Sequence, residues 1–248
     1  MTPTPRTILS LRQATKRFES ADSAFELRVP ALDLAEGSVC VVAGRSGCGK
    51  TTLLDALGGI SPWNSCEQHT FCPAEVPINM LRCSGRQRAA MRRDEIGYIL
   101  QQGGLLPFLT AWENILLPMR LSGRSALQNS ALELAATLGI ADQLAKRPEA
   151  LSIGQRQRVS IVRALALRPA LILADEPTGA LDPVSAAEVR EQLISIAAEQ
   201  GCGVIIVTHD VELFADCADM RLGFTLRREG NTTISELHEQ PCGKEVRS

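Results

Sequence analysis

The sequence has no long apolar run. Its most apolar stretches, residues 39–42, 171–174 and 204–207, have the length of a strand. A membrane-spanning helix needs about 18 or more apolar residues in succession, so a spanning protein is excluded. The first ten residues also lack the basic start and apolar stretch of a secretion signal. We therefore expect a chain that is not exported.

An excess of charge of one sign is also missing. The 26 Lys and Arg residues nearly balance the 28 Asp and Glu residues, giving a net charge of -2, and the basic residues are scattered. Proteins that bind nucleic acid usually concentrate basic residues on one face or along one stripe. We therefore expect no nucleic-acid partner.

The eight cysteines do not come with a secretion signal, so free thiols are expected. Cys66, His69, Cys72 and Cys83 include a C-x-x-H-x-x-C spacing that could ligate zinc. The paired C-x-x-C arrangement typical of structural zinc sites is absent, and small buried thiols are common in protein cores. The sequence favours ordinary thiols and leaves metal binding at this cluster open.

Short apolar strands alternate with segments of helical periodicity. Strands are predicted at residues 8–18, 25–34, 39–42, 96–100, 170–174 and 204–207, and helices at 109–121, 127–138 and 183–200. This alternation predicts an α/β fold with a mostly parallel sheet and helices on both faces. Residues 61–86 look irregular, with a short strand or two within 71–81, and residues 231–248 look like a loosely held polar tail.

A glycine-rich segment follows the predicted strand at residues 39–42 and precedes a helix. It fits the pattern G-x-x-x-x-G-K-[ST] and is followed by a further threonine; its residues are Gly44, Arg45, Ser46, Gly47, Cys48, Gly49, Lys50, Thr51 and Thr52. In such a loop the backbone N–H groups surround a phosphate, the lysine contacts the β- and γ-phosphates, and the hydroxyl after it binds Mg²⁺. The alternative is a chance glycine-rich turn. The pattern alone does not choose among kinases, GTPases and transport ATPases.

Two adjacent carboxylates end the predicted strand at residues 170–174. Asp175 and Glu176 must point in opposite directions, so they cannot serve the same purpose. Asp175 can hold Mg²⁺, and Glu176 can orient the water that attacks the γ-phosphate. His209 ends the next strand at the same edge of the sheet. Taken alone, the carboxylate pair could be an acidic strand-end turn and His209 could be a structural histidine. Their convergence at one edge of the sheet favours a shared site.

Residues 151–159, Leu-Ser-Ile-Gly-Gln-Arg-Gln-Arg-Val, are similar to the LSGGQ signature of the ATP-binding-cassette (ABC) ATPases. The resemblance extends from about residue 8 to residue 226. It implies a P-loop NTPase fold of the RecA-like type, with a small antiparallel β region and an inserted helical subdomain at about 103–166, within a single domain at 1–230. It also implies ATP and Mg²⁺ as cofactors.

The resemblance assigns roles to further residues. Gln101 looks like the glutamine that senses Mg²⁺. The resemblance makes Glu176, His209, Lys50 and Gln101 the catalytic residues. It makes Thr51, Asp175 and Gln101 the metal ligands. Phe18 stands where the family stacks an aromatic ring on adenine, with Phe25 as the rival. The remaining nucleotide contacts are Ser152, Gly154, Gln155 and Asp182, which look like the signature and interface-loop residues.

Dimerisation and a membrane partner follow from the same resemblance. The signature serves the phosphate loop of a second copy, so we expect a head-to-tail dimer, most simply a homodimer, bound to integral-membrane permease subunits at the inner face of the cell membrane. Residues 105–114, 117–118 and 175–182 most resemble the lipoprotein-releasing and macrolide-exporting branch. The alternative is a permease-like partner that signals, in cell division or antibiotic sensing, without moving a solute. No long coiled coil or second cassette supports a role in DNA repair or on ribosomes.

Three features depart from the family pattern. Ile153 replaces the first glycine of the signature, although Ser152 and Gly154 remain. Cys48 occupies a variable position of the phosphate loop. Residues 62–86 do not match the usual turns and strands, which puts the small antiparallel region in doubt.

Overall fold

A computed structural model describes residues 6–21, 23–101 and 103–241. Within these residues the strands are β1 Thr7–Glu19, β2 Ala24–Ala35, β3 Val39–Ala43, β4 Gln68–Phe71, β5 Ile78–Asn79, β6 Ile96–Ile99, β7 Leu171–Asp175, β8 Gly203–Thr208, β9 Met220–Glu229 and β10 Thr232–Gln240. The α-helices are α1 Lys50–Leu57, α2 Gly85–Glu95, α3 Ala111–Ser122, α4 Gln128–Thr137, α5 Ile153–Leu165 and α6 Pro183–Gln200. Short 3-10 helices lie at Met80–Arg82, Ser125–Leu127, Ala141–Gln143, Pro148–Ala150 and Glu212–Phe214.

These strands form one sheet in the order β5-β4-β1-β2-β10-β9-β3-β8-β7-β6. The half from β9 to β6 is parallel. In the other half, β1, β2, β4 and β5 pair antiparallel, while β10 runs parallel to β2 and antiparallel to β9. The predicted α/β fold is confirmed, but the antiparallel region is larger than expected and continues the same sheet.

Side chains of the central strands alternate between two cores. In β8, Val204 and Ile206 pack with α3, α4, α5 and α6, whereas Ile205 and Val207 pack with α1 and the antiparallel strands. Strands covered on both faces must be apolar at every position, which is why they appear as continuous apolar runs in the sequence. Helices therefore cover both faces of the sheet, as predicted.

Three of the described α-helices begin with a capping box. Ser84, Thr110 and Ser152 accept hydrogen bonds from the backbone N–H three residues later, and the side chain at that third position accepts from the backbone of the cap. This reciprocal pairing satisfies N–H groups that have no partner within the helix. α3, α4 and α5 all lie between β6 and β7 in the chain, in the stretch where the sequence predicts an inserted helical subdomain. No described helix combines the length and apolar character that crossing a membrane would require.

Two expectations need correction. The segment expected to begin a loosely held tail is strand β10, which lies between β2 and β9 in the sheet; residues 242–248 of that predicted tail are outside the described range. The antiparallel region that residues 62–86 put in doubt is present, because β4 pairs with β1 and β5 pairs with β4. The same stretch leads into α2, whose sequence gave no helical periodicity since none of its residues is buried.

Candidate functional site

The phosphate loop connects the end of β3 to the start of α1. Gly47 and Gly49 have φ angles of 80° and 102°, a region that residues with a Cβ rarely adopt. A Cβ on Gly49 would also lie 3.0 Å from the ring of Phe25. Gly49 is the cap of α1, so the positive end of that helix faces the loop. The two glycines are therefore required by backbone conformation.

Lys50 begins α1 and is held inside the loop. Its Nζ donates to the carbonyl oxygen of Gly44 at 2.6 Å and lies 3.1 Å from Oε1 of Glu176. Both charged side chains are nearly buried, with 10% and 6% of their surface exposed. In this arrangement the carboxylate neutralises the ammonium, at the position where a bound phosphate would compete for it.

Asp175 and Thr51 bring two oxygen ligands together. The Thr51 hydroxyl donates to Oδ2 of Asp175 at 2.6 Å. Burial raises the pKa of Asp175, with Glu176 adding to the rise, while the Thr51 hydrogen bond opposes it. A hard cation such as Mg²⁺ prefers oxygen donors and usually keeps phosphate or water among its ligands. The Asp175 and Thr51 oxygens fit such an ion, and Gln101 lines the same cavity.

Glu176 follows β7 in an uncommon backbone conformation. Its φ is 48°, a left-handed value that costs a residue with a Cβ about 1–3 kcal/mol. Oε2 lies 2.8 Å from Nδ1 of His209 and accepts a 3.3 Å hydrogen bond from the Thr208 hydroxyl. Both carboxylate oxygens thus have partners, and the imidazole of His209 remains 63% exposed. The arrangement places a carboxylate and an imidazole at one edge of the cavity.

One cavity of about 670 Å³ brings most of the predicted site together. Its lining contains the predicted residues Phe18, Ser46, Gly47, Gly49, Lys50, Thr51, Thr52, Gln101, Asp175, Glu176 and His209, together with Phe25. These residues come from β1, β2, the phosphate loop, α1 and the strand ends of β6, β7 and β8. Gly44, Arg45 and Cys48 belong to the same loop but are not in this lining, and Cys48 is buried.

The two candidate aromatic rings differ in their freedom to stack. Phe18 and Phe25 are directly opposite each other on β1 and β2. The Phe25 ring packs on Gly49 of the phosphate loop, whereas the Phe18 ring is 47% exposed with the Lys16 ammonium 5.3 Å from its centroid. Phe18 therefore has the surface that a stacked base needs, and Phe25 supports the loop.

The signature and interface-loop residues lie elsewhere. Ser152 caps α5 and Asp182 caps α6, the latter accepting from the backbone N–H groups of Val184 and Ser185. A Cβ on Gly154 would lie 3.7 Å from the Leu181 side chain, so the two segments are neighbours. Among the described residues, Ser152, Gly154, Gln155 and Asp182 are not in the lining of the 670 Å³ cavity.

The three cysteines of the cluster whose spacing left zinc open have other partners. The thiols of Cys66, Cys72 and Cys83 donate to backbone carbonyl oxygens. Burial lowers the pKa of His69 to about 4. Across the described ranges, no group of three or more His, Cys, Asp or Glu side chains is arranged to hold a metal ion, and the seven described cysteines are free.

Sequence reasoning missed two residues of β9 and β10 that contact the phosphate loop. Phe224 of β9 packs where a Cβ of Gly44 would lie, and Ser235 of β10 donates to the carbonyl oxygen of Cys48. No local pattern marks either residue, because both reach the loop through pairing of strands distant in sequence. The one sequence signal for Ser235 is its position as a polar residue between Ile234 and Leu237, which are both buried.

Known proteins resemble this chain in sequence. The sequence profile of the ABC transporter family matches residues 27–179. The chain is 36% identical to the lipoprotein-releasing system ATP-binding protein LolD of Alcanivorax borkumensis, over 85% of this chain and 91% of that protein. It is 44% identical to an uncharacterized ABC transporter ATP-binding protein of Mycobacterium tuberculosis over 72% of this chain, but it spans about half, 53%, of that relative.

Solved structures resemble the whole fold. The ATP-binding cassette MJ0796, in a dimeric post-hydrolysis state bound to ADP and Pi, matches with a TM-score of 0.79 at 28% identity, over 96% of this chain and 100% of that one. A second dimeric structure of MJ0796 matches with a TM-score of 0.77 at 31% identity, over 87% and 94% of the two chains.

Proposed function

The chain belongs to the ABC transporter family, and from this premise we propose that two copies bind Mg²⁺-ATP between them and drive a lipoprotein-releasing type of permease. As an ABC ATPase, the chain binds and hydrolyses ATP to power a membrane transporter. The observation that carries the residue assignments is the single cavity into which the phosphate loop, Gln101, Asp175, Glu176 and His209 all converge. The proposal also keeps one ABC domain with a helical subdomain at about 103–166, and extends the domain through β10.

Hydrolysis needs a positioned water and neutralised phosphate charge more than covalent help from the protein. Lys50 would leave Glu176 and contact the β- and γ-phosphates, which frees the carboxylate to take a proton from the attacking water. His209 would hold the γ-phosphate and keep Glu176 oriented across their 2.8 Å contact. Thr51, Asp175 and Gln101 would hold Mg²⁺, which when bound screens the charge on the phosphate oxygens.

The signature needs a second chain to act. Ser152 and Gly154 lie at the N-terminus of α5, where free N–H groups and the helix dipole favour an anion. Since they are not in the cavity of their own chain, we propose that they meet the γ-phosphate held by a second copy. Asp182 and the neighbouring Leu181 would cross between the copies beside them.

A second cavity, of about 420 Å³, suits a membrane partner. Its lining contains the apolar side chains of Leu100, Leu117, Pro118, Leu121 and Leu167, together with three arginines. Leu121 is 62% exposed, a large apolar surface to leave in water. Leu100 precedes Gln101 in the chain, so we propose that a permease segment seated here signals to the nucleotide site. This docking would place the chain at the inner face of the membrane.

The nucleotide site is tested by Mg²⁺-dependent phosphate release from the purified chain. Lys50→Ala should abolish ATP binding and turnover, because it removes the ammonium proposed to contact the β- and γ-phosphates. No other described residue places an ammonium against Glu176. Lys146→Ala makes the same change on an exposed lysine outside the cavity and should keep the parental rate. Equal activity of the two variants would disprove the assignment of the site.

The partner is tested by purification in detergent and mass spectrometry. We expect a co-purifying permease with few transmembrane helices and a large periplasmic domain, and ATP-dependent release of a lipidated protein when both are reconstituted in proteoliposomes. Leu121→Asp should lose the permease, and Leu132→Asp, at a 47% exposed position outside the groove, should retain it. A permease that co-purifies and moves no substrate would support the signalling alternative instead.

A further inference from the structure

The strand β10, which lies between β2 and β9 in the sheet, contacts the phosphate loop through Ser235. Ser235 is completely buried, opposite Leu27 of β2 and Leu226 of β9. Its hydroxyl donates a 2.6 Å hydrogen bond to the carbonyl oxygen of Cys48, 187 positions away in the sequence. Cys48 itself is 1% exposed, so this hydrogen bond is shielded from water. A buried serine hydroxyl is therefore committed to one backbone atom of the phosphate loop.

That carbonyl determines where a neighbouring N–H points. The carbonyl of Cys48 and the N–H of Gly49 belong to one peptide unit, and all described peptide bonds are trans. In a planar trans peptide the C=O and N–H bonds point in opposite directions. Because the carbonyl faces Ser235, the N–H of Gly49 faces away from Ser235, and Gly49 itself lines the cavity.

The loop has little of its own with which to hold that peptide. Gly47 and Gly49 adopt positive φ angles, and glycine gives the backbone on each side of Cys48 more freedom than other residues would. A rotation of the Cys48–Gly49 peptide would remove one N–H from the phosphate side and turn a carbonyl oxygen toward the anion. The hydrogen bond from Ser235 opposes this rotation, since the rotation would leave the buried hydroxyl of Ser235 without its partner.

We propose that Ser235 is a positioning residue for nucleotide binding, which fixes the Cys48–Gly49 peptide so that the N–H of Gly49 faces the bound phosphate. This inference rests on the proposed function, because it assigns a role within the same nucleotide site. It adds a residue outside the matched family segment, which ends at residue 179. The phosphate loop is thereby completed by a strand near the other end of the sequence.

The test compares Ser235→Thr with Ser235→Val. Thr and Val have nearly the same shape and differ in the hydroxyl, so any strain from the added methyl is common to both variants. We expect the Val variant to bind ATP about five- to tenfold more weakly than the Thr variant, the size expected for one buried hydrogen bond. Inorganic tripolyphosphate, measured by competition in the same buffer, should weaken by the same factor, because the effect acts on phosphate. Turnover at saturating ATP should change less than twofold.

Two controls separate this role from a structural one. Thr225→Ala removes a hydroxyl that contacts His238 on the same β9–β10 hairpin and should leave both affinities at the parental value. Thermal unfolding of each variant identifies any that fails to fold, in which case Ser235→Ala against the parent repeats the comparison. Equal ATP affinity of the Thr and Val variants would overturn the inference.

A loss for ATP with unchanged tripolyphosphate affinity would also overturn it, because the effect would then lie at the adenine end, near Phe18. A parent chain that binds neither ligand would instead refute the proposed function. The failures of the two proposals can therefore be told apart.

Discussion

Replacing Glu176 by Gln tests the proposed chemistry most directly. The amide keeps the shape of the carboxylate, which lies 3.1 Å from Lys50 Nζ and 2.8 Å from His209 Nδ1. It cannot take a proton from water near neutral pH. A general base contributes about 10²–10⁴ to a rate, so turnover should fall by that factor, or about 3–5 kcal/mol in the activation barrier.

Binding should change in the opposite direction. Without phosphate, the Glu176 carboxylate forms an ion pair with Lys50. With phosphate bound, the negative charge of Glu176 repels the γ-phosphate. Glu176→Gln removes both effects, so we expect ATP to bind a few-fold more tightly and to hold two copies together. Single-turnover phosphate release gives the rate, and sedimentation velocity with and without Mg²⁺-ATP gives the dimer.

A matched control makes the same chemical change elsewhere. Glu199 lies near the end of α6, outside the 670 Å³ cavity, where it accepts a hydrogen bond from Ser195. Glu199→Gln should hydrolyse ATP at the parental rate and form no stable dimer. A Glu176→Gln chain that matched the parental turnover, or that lost ATP binding, would refute the reasoning.

Three further predictions follow from the site and its surroundings. The pKa of His69 is lowered from 6.5 to about 4. Below pH 6.5 the unfolded chain therefore binds a proton that the folded chain excludes, so the free energy of unfolding in urea should fall by about 2 kcal/mol from pH 7 to pH 5, less so in His69→Gln. Phe18→Ala should raise KM for ATP about tenfold through lost base stacking, with kcat within twofold and tripolyphosphate affinity unchanged. Added to Glu176→Gln, Gly154→Asp should abolish the ATP-dependent dimer in sedimentation while each copy still binds ATP. The control Gly85→Asp in the same background, in the first turn of α2 with open space around it, should still dimerise.

The parallel half of the fold could be predicted because its strands are covered on both faces. β3, β7 and β8 are apolar at nearly every position, and the polar residues that end them are conspicuous for that reason. Parallel strands place their carboxyl ends at one edge, so the convergence of Asp175, Glu176 and His209 follows from topology. The sequence therefore predicted most residues that line the cavity.

Other elements have no periodic apolar pattern. α2 buries none of its residues, and its local signal was limited to the capping box of Ser84 and Gln87. β10 is partly polar and places Ser235 in the interior, where a backbone carbonyl of the phosphate loop satisfies it. Interactions of this kind depend on strands that meet through tertiary structure, which local patterns do not describe. The same limit applies to Ser152 and Gly154, whose partners we place on another chain.

The position of β10 has a consequence for the solubility of shortened forms of the protein. β10 is hydrogen-bonded to β2 on one side and to β9 on the other, so it has no free edge. A chain that stopped before Thr232 would leave β2 and β9 with unpaired backbone groups facing a gap in the middle of the sheet. Open edges of this kind recruit strands from other molecules and promote aggregation. The strand β10 would thus be needed to keep the protein monodisperse before any nucleotide is bound.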